Sequence, residues 1–158
     1  MAKTRNKAIP AAYLFLERDD KFLIARRCNT GYQDGLYHVP AGHVEDQELP
    51  SRAIVREAKE EICIDIDPAD LQLFHVSYRP RHDATDNRVD FFFRTRIWKG
   101  DVVNAEPDKC DDLKWVSLDE LPRHMTLHIQ EAFDALKTGL LYKEITIEDL
   151  KDDGLYSL

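Results

Sequence analysis

The chain has 158 residues, of which 43% are hydrophobic and 33% are charged, so it is long enough to bury a core within one domain. Acidic residues outnumber basic residues by 30 to 22, and the net charge is -8. This balance argues against a broad nucleic-acid-binding face, which needs an excess of lysine and arginine, but it permits a small phosphorylated ligand held by local positive charge.

The first part of the chain has the pattern of short strands joined by turns. Two apolar runs at 11–17 and 21–27 flank a polar Arg-Asp-Asp segment, which predicts a β-hairpin. The polar segment 28–35 contains two glycines and is typical of a loop. A short strand over 36–39 is predicted to end at Pro40, which cannot donate a backbone hydrogen bond.

The rest of the chain alternates strands with helices, which predicts a mixed α/β domain. Helical spacing of apolar residues predicts a helix over 51–62, and a second helical region begins at Ser117. The polar segment RPRHDATDN, at 79–87, is predicted to be a mobile loop, and the tail 138–158 has no assignable pattern. Three strands are predicted between the helices, at 71–79, 89–98 and 113–116.

The first helix carries a cluster of like charges. Glu60 and Glu61 lie on either side of Glu57 on the helical wheel, within roughly 60°, so all three project from one face. Like charges at this spacing weaken a helix by about 0.2–0.5 kcal/mol per pair. The cluster is either a solvated acidic face or a site for a hard cation such as Mg²⁺ or Mn²⁺, and spacing alone does not decide between them.

The segment GHVEDQELPSRAIVREAKEEICI, from 42 to 64, resembles the signature of the Nudix (MutT-type) hydrolases. That signature is glycine, five residues, glutamate, seven residues, Arg-Glu, an apolar residue, any residue, Glu-Glu, any residue, glycine and an apolar residue. The positions in register are Gly42, Glu48, Arg56, Glu57, Glu60 and Glu61. One position departs, because Cys63 stands where the family has glycine.

The resemblance implies a fold, a cofactor and a reaction. The expected fold is an α/β/α sandwich in which helices flank a mixed β-sheet, formed as one domain over 1–158. The expected reaction is the Mg²⁺- or Mn²⁺-dependent hydrolysis of a phosphoric anhydride bond, in a nucleoside triphosphate or another nucleoside diphosphate linked to a further group. Alternatives are a nucleotide-sugar (ADP-ribose-like) pyrophosphatase and a Nudix-fold nucleotide-binding module without catalytic activity.

The resemblance also implies roles for the residues of the motif. The expected metal ligands are the carboxylates of Glu57, Glu60 and Glu61, together with the backbone carbonyl of Gly42. Glu57 is a candidate to activate water, although the base differs among family members, and Arg56 and Glu60 complete the expected catalytic set. Glu48 is expected to pair with Arg56 and support the loop; an ordinary surface ion pair is the alternative.

Four residues outside the helix are further candidates. Glu106 is expected to reach the metals, as acidic residues do in this loop of many Nudix enzymes, although a polar turn containing Pro107 is an equal alternative. Arg27 resembles a substrate-contacting position, with a solvated strand-end arginine as the alternative. His38 and His43 lie beside the motif and are candidates to contact phosphate.

Cys63 raises a question about the end of the first helix. Glycine there would allow a positive φ, which strains a cysteine, so the helix is predicted to end differently or with a slight displacement. The thiol itself is predicted to be buried and structural. The aromatic residues Tyr37, Phe91, Phe93 and Trp115 are predicted to belong to the core, with base stacking as the alternative.

The remaining expectations concern partners and compartment. Three scattered cysteines and the absence of a signal-peptide pattern predict a cytoplasmic protein with no membrane partner. The expected partner is a small nucleotide, and no nucleic acid is expected. Because dimers are common in the family, a homodimer is a further expectation.

Overall fold

The computed structural model describes residues 5–81 and 86–152. Its strands are Ala8–Arg18 (β1), Lys21–Arg27 (β2), Tyr37–His38 (β3), Ala41–His43 (β4), Gln72–Arg79 (β5), Asn87–Thr95 (β6), Cys110–Ser117 (β7) and Tyr142–Glu144 (β8). Its helices are Pro50–Ile62 (α1), Leu127–Thr138 (α2) and Ile147–Asp152 (α3). The strands form a mixed sheet with helices packed on it, which confirms the expected fold class.

The predicted hairpin is confirmed at β1 and β2. The two strands pair antiparallel next to their turn, Glu17 with Phe22 and Arg18 with Lys21. The turn residues Asp19 and Asp20 both have positive φ, 52° and 58°. Two consecutive residues of this kind form a turn whose twist matches that of the strands, and aspartate tolerates the conformation better than most side chains.

Strand β1 organises the sheet. One edge pairs in parallel with β6 along the strand, from Ala8 with Asn87 to Leu16 with Thr95. The other edge is shared between two antiparallel partners, β4 near the start of β1 and β2 at its end. This sharing brings the ends of β2, β3 and β4 together beside β1, and the cavities described below lie among these ends.

The core consists of two layers on opposite faces of the sheet. Alternate residues of β1 point to opposite sides, so Phe15 packs with α2 and Leu14 packs with α1. The ring of Phe15 lies 4.5 Å from that of Phe133 on α2, measured between centroids. Helix α1 buries Ile54 and Ile62 in the other layer. No helix in the described part of the chain is long and apolar enough to cross a membrane.

The second helix begins later than predicted. The segment after Ser117 forms only a short 3-10 turn at Leu118–Glu120, and α2 starts at Leu127. The physical reason is Pro122, because the residue before a proline is kept out of the helical conformation, and Leu121 has φ -59° and ψ 130°.

Within the described residues, the tail forms a strand and a short helix. Strand β8 pairs in parallel with β5, and Ile145 and Leu150 pack with Leu127 in a small apolar cluster. Residues 82–85, within the segment predicted to be a mobile loop, lie outside the described ranges, as do the last six residues of the tail.

Candidate metal site and adjoining cavities

The turn through β4 and the helix α1 meet at Gly42 and Glu57. A Cβ placed on Gly42 would lie 1.9 Å from Oε1 and 2.1 Å from Cδ of Glu57. Gly42 is not among the glycines with positive φ, so close approach rather than backbone conformation explains the glycine. The carboxylate of Glu57 therefore lies directly against the backbone at position 42.

Arg56 is held between the helix and the preceding loop. Its Nε and Nη2 donate to the two carboxylate oxygens of Glu48 at 3.0 and 3.1 Å, and Nη2 also donates to the carbonyl of His43 at 3.1 Å. Its Nη1 donates to Oε1 of Glu57 at 2.7 Å. The hydrogen bond from Arg56 lowers the pKa of Glu48. The structure brings Arg56 and Glu48 together as the motif predicts, and the pair orients Glu57.

The carboxylates differ in their surroundings. Burial raises the pKa of Glu61 to about 8, and the neighbouring charge of Glu57 adds to this effect. Oε2 of Glu61 accepts a hydrogen bond from the backbone N–H of Ala41 at 3.2 Å. Burial also raises the pKa of Glu57, against the opposing influence of Arg56. Glu60 is more exposed, and its carboxylate lies 3.7 Å from Arg56.

One cavity of about 220 Å³ is lined by all the acidic residues that were predicted to bind metal. Glu57, Glu60, Glu61 and Glu106 all line it, as do Arg27, His38 and Lys109. The loop that carries Glu106 is anchored to the helix, because the N–H of Ala105 donates to the carbonyl of Glu61 at 3.0 Å. Glu106 itself accepts from Lys109 Nζ at 2.8 Å. The loop that the resemblance singled out thus reaches the same cavity as the helix carboxylates.

The donor set of this cavity fits a hard divalent cation. It offers the carboxyl oxygens of Glu57, Glu60, Glu61 and Glu106, and the Glu57 carboxylate rests against the backbone of Gly42, where a Cβ would displace it. Among the described residues, no three acidic, histidine or cysteine side chains are already gathered around a metal position. The carboxylates of Glu57 and Glu60 instead lie near the guanidinium of Arg56. The candidate ligands therefore line one cavity, but their oxygens do not yet surround a single metal position.

A second cavity, of about 300 Å³, adjoins the first. Arg27 and His38 line both cavities, whereas Gly42 and His43 line the second. Burial, with a contribution from the charge of Arg27, lowers the pKa of His38 to about 4. Nε2 of His43 lies 2.7 Å from Nη1 of Arg88, so this nitrogen acts as the acceptor.

Residues that sequence analysis missed complete the second cavity. They come from β5, β6 and the start of α2, and include Arg79, Arg88, Thr126 and His128. No spacing rule connects these positions, which are separated by turns and strands. The aromatic residues weighed as base-stacking candidates line neither cavity; Tyr37, Phe91, Phe93 and Trp115 pack in the core as predicted.

The two predictions about Cys63 are wrong. Cys63 adopts the left-handed conformation, with φ 64° and ψ 19°, at the position where the motif has glycine. Its N–H donates to the carbonyl of Lys59 at 3.2 Å, so the helix ends in the usual way despite the side chain. The thiol is exposed rather than buried, because the left-handed cap turns this residue away from the core.

The chain is similar in sequence to proteins of two named activities. The chain is 27% identical over 135 residues to the NAD-capped RNA hydrolase NudC of Pseudomonas aeruginosa, covering 82% of this chain but only 45% of that protein. It is 32% identical over 97 residues to the 8-oxo-dGTP diphosphatase of Proteus vulgaris, covering 61% of this chain and 82% of that protein.

Among solved structures, the MutT NUDIX hydrolase of Burkholderia pseudomallei superimposes with a TM-score of 0.74 at 24% identity, covering 82% of this chain and 98% of that one. At this identity the likeness concerns the fold. The NUDIX domain model matches residues 7–136, which is most of the chain and includes the motif, the residues that line both cavities, helix α1 and most of helix α2. The chain belongs to the Nudix family.

Proposed function

We propose that this protein hydrolyses a pyrophosphate bond in a nucleoside diphosphate linked to a further group, with Mg²⁺ or Mn²⁺ as cofactor. The observation that supports this most directly is the convergence of Glu57, Glu60, Glu61 and Glu106 on one cavity. Nudix proteins are typically dependent on divalent metal ions, and a cavity of oxygen ligands suits such ions.

The metal would be held by Glu57, Glu60, Glu61 and Glu106, with the carbonyl of Gly42 beside them. A bound dication would neutralise the oxygens of the pyrophosphate and lower the pKa of a water molecule. Glu57 is positioned by Arg56, and burial raises its pKa toward the range in which a carboxylate accepts a proton from water.

Cationic side chains that line the same cavity complete the proposal. Arg27 and Lys109 line it and can balance the charge that develops on the leaving phosphate. Arg27 is fixed by its own loop, since its Nε donates to the carbonyl of Tyr32 at 2.9 Å and its Nη2 to the hydroxyl of Thr30 at 3.1 Å. A guanidinium held in this way loses little freedom when it binds phosphate.

Relatives support a nucleotide as the substrate. The names of the two curated relatives describe hydrolysis of an NAD cap on RNA and of 8-oxo-dGTP, and both substrates contain a nucleotide pyrophosphate. The chain spans less than half the length of the first of these relatives, so the particular substrate is a matter for experiment.

The test is phosphate and pyrophosphate release across nucleoside triphosphates, nucleotide sugars and dinucleotides, with Mg²⁺, with Mn²⁺ and with EDTA. Glu57→Gln and Glu60→Gln proteins are assayed alongside Glu148→Gln, which changes an exposed glutamate on α3. We expect turnover that EDTA abolishes, that falls by about 10²-fold or more in the first two variants, and that the third retains. A folded protein that turns over no member of the panel with either metal would indicate a binding module.

A further inference from the structure

The second cavity has an electrostatic character opposite to that of the first. Of the described residues that line it, none is acidic, and the ionisable ones comprise arginines and histidines together with two tyrosines. Arg79 is committed to Asp90, donating at 2.6 and 3.1 Å, so the net positive charge comes mainly from Arg27 and Arg88. The wall of this cavity therefore favours an anionic group.

Leaving aside the ring of His128, three hydrogen-bonding groups at this cavity lack a partner within the described structure. They are Nε of Arg88, Nε2 of Gln33 and the hydroxyl of Thr126. A buried polar group left unpaired costs about 1–3 kcal/mol, and native proteins usually satisfy such groups with ordered water or a ligand. Because all three can donate, the complementary ligand is one that only accepts.

Thr126 provides the most direct of these observations. It is 1% exposed and occupies the N-cap position of α2, where threonine usually accepts a hydrogen bond from the first turn. Here its side chain makes no cap hydrogen bond, and no acidic residue stands in the first turn. The partial positive charge at the start of this 12-residue helix is thus unbalanced beside the cavity.

The orientation of Arg88 is also set by the protein. Nη1 donates to Nε2 of His43, and this contact holds the guanidinium beside β4 while its Nε remains without a partner. The neighbouring Tyr13 hydroxyl donates to Asp90 at 3.1 Å and so is already engaged. Of the two tyrosines that line the cavity, Tyr13 is buried and Tyr32 is exposed, so they offer little surface for stacking a base on both faces.

We propose that the second cavity binds a phosphate monoester that the substrate carries in addition to the pyrophosphate that is cleaved. This inference rests on the proposed function, because the shared lining by Arg27 and His38 places both cavities in reach of one substrate. A phosphate offers acceptor oxygens to the cationic Arg27 and Arg88 that line the cavity, whereas a neutral base would present donors as well. The substrate class is therefore a nucleotide pyrophosphate bearing a further phosphate, for example on a ribose hydroxyl.

The first test compares ligands that differ by one phosphate, in EDTA so that no turnover occurs. Calorimetry measures the binding of adenosine 5′-monophosphate against adenosine 2′,5′-bisphosphate and adenosine 3′,5′-bisphosphate. We expect at least one bisphosphate to bind about 10-fold tighter, and the preference to disappear in Arg88→Ala and return in part in Arg88→Lys. Arg94→Ala, on the same strand and paired with Gln72, is the control that keeps the preference.

Thr126→Val separates binding from folding. Since the hydroxyl makes no hydrogen bond within the described structure, the apoprotein should lose no stability, whereas a capping threonine would lose about 1 kcal/mol. The phosphate preference should nevertheless fall about threefold or more. Loss of stability with an unchanged preference would assign Thr126 to the helix and overturn its role here.

Turnover distinguishes this inference from the proposed function. NADPH against NADH and coenzyme A against its 3′-dephospho form are the matched pairs, assayed with Mg²⁺. If pyrophosphate bonds are hydrolysed but neither binding nor kcat/KM favours the phosphorylated member of any pair, the inference is wrong and the proposed function stands. If no compound is hydrolysed but the binding preference appears, the proposed function fails and the phosphate site stands.

Discussion

Oε1 of Glu57 occupies the space that a Cβ on residue 42 would take, at a separation of 1.9 Å. Glycine at position 42 is therefore a condition for the present position of the Glu57 carboxylate. The nearest atoms are all at the end of that side chain, so an added methyl group would displace the carboxylate rather than the backbone. Position 42 should thus control activity without controlling folding.

Gly42→Ala should lower kcat/KM by about 10²-fold while the protein stays folded, because displacing a catalytic group by about 1 Å has effects of this size. The measurement is steady-state kinetics on the best nucleotide substrate, with circular dichroism to verify folding. Gly42→Ala combined with Glu57→Gln is the matched comparison. The double variant should have the same kcat/KM as Glu57→Gln alone. If the two substitutions instead lower kcat/KM by fully additive free energies, residue 42 does not act through Glu57.

Arg56→Lys should lower kcat by about 10-fold or more, because lysine cannot donate at once to both oxygens of Glu48 and to Glu57. Its free energy of unfolding should fall by about 1 kcal/mol. Lys59→Gln on the same helix is the control, since the Lys59–Asp65 pair is 58% and 64% exposed and contributes under about 0.5 kcal/mol. If Arg56→Lys and Lys59→Gln lower kcat equally, Arg56 does not position Glu57.

Cys63→Gly should stabilise the protein by about 0.5–1 kcal/mol. Releasing a non-glycine residue from the left-handed conformation gains about 1–2 kcal/mol, and the greater freedom of glycine in the unfolded chain offsets part of this. Chemical denaturation measures the change. The reciprocal substitution is Gly139→Ala at the end of α2, where φ is 73°, and it should destabilise by about 1 kcal/mol. A destabilised Cys63→Gly protein would mean that the thiol makes compensating contacts.

Asp90→Asn should destabilise the protein by about 3–5 kcal/mol. Asp90 and Arg79 have side chains that are 0% and 3% exposed, and removing the carboxylate charge abolishes the buried ion pair between them. Thermal or urea unfolding checks this. Asp111→Asn is the matched control, because its pair with Arg26 is 46% and 39% exposed and should change stability by no more than about 1 kcal/mol.

His38 should make stability depend on pH between about 4 and 6.5. Burial lowers its pKa from 6.5 to about 4 in the folded protein, so the unfolded chain binds the extra proton within this window. Stability contributed by the neutral ring is complete above about 6.5 and is lost as the pH falls toward about 4, with a slope of at most about 1.4 kcal/mol per pH unit.

The measurement for His38 is urea unfolding of wild type and His38→Asn at several pH values within that window. The difference in free energy of unfolding between the two proteins should change with pH in the direction just given. His124→Asn, at an exposed position, serves as the control. If the difference does not change with pH, His38 binds a proton as readily in the folded protein as in the unfolded chain, and the prediction is wrong.

The spacing of residues along the chain was enough to predict the first helix. Helical spacing alone places Glu57, Glu60 and Glu61 on one face of the helix. Their expected role as metal ligands came from the resemblance to the Nudix motif. The ion pair of Arg56 with Glu48 follows from the same motif. The prediction for Cys63 was wrong because it considered only the preference of cysteine against the left-handed conformation. The surrounding structure holds the end of α1 in place and imposes that conformation.

The second cavity could not be predicted, because it depends on which strands become neighbours. Arg88 reaches His43 across 45 positions of sequence, and it does so because β6 and β4 both pair with β1. The start of α2 depends on Pro122 and on the backbone bonds between Tyr37 and Thr126. The helix, its charged face and the hairpin could be predicted because they depend on residues a few positions apart. Only the tertiary structure placed a cationic cavity beside the acidic one, since long-range pairing in the sheet decides which loops and helix ends meet.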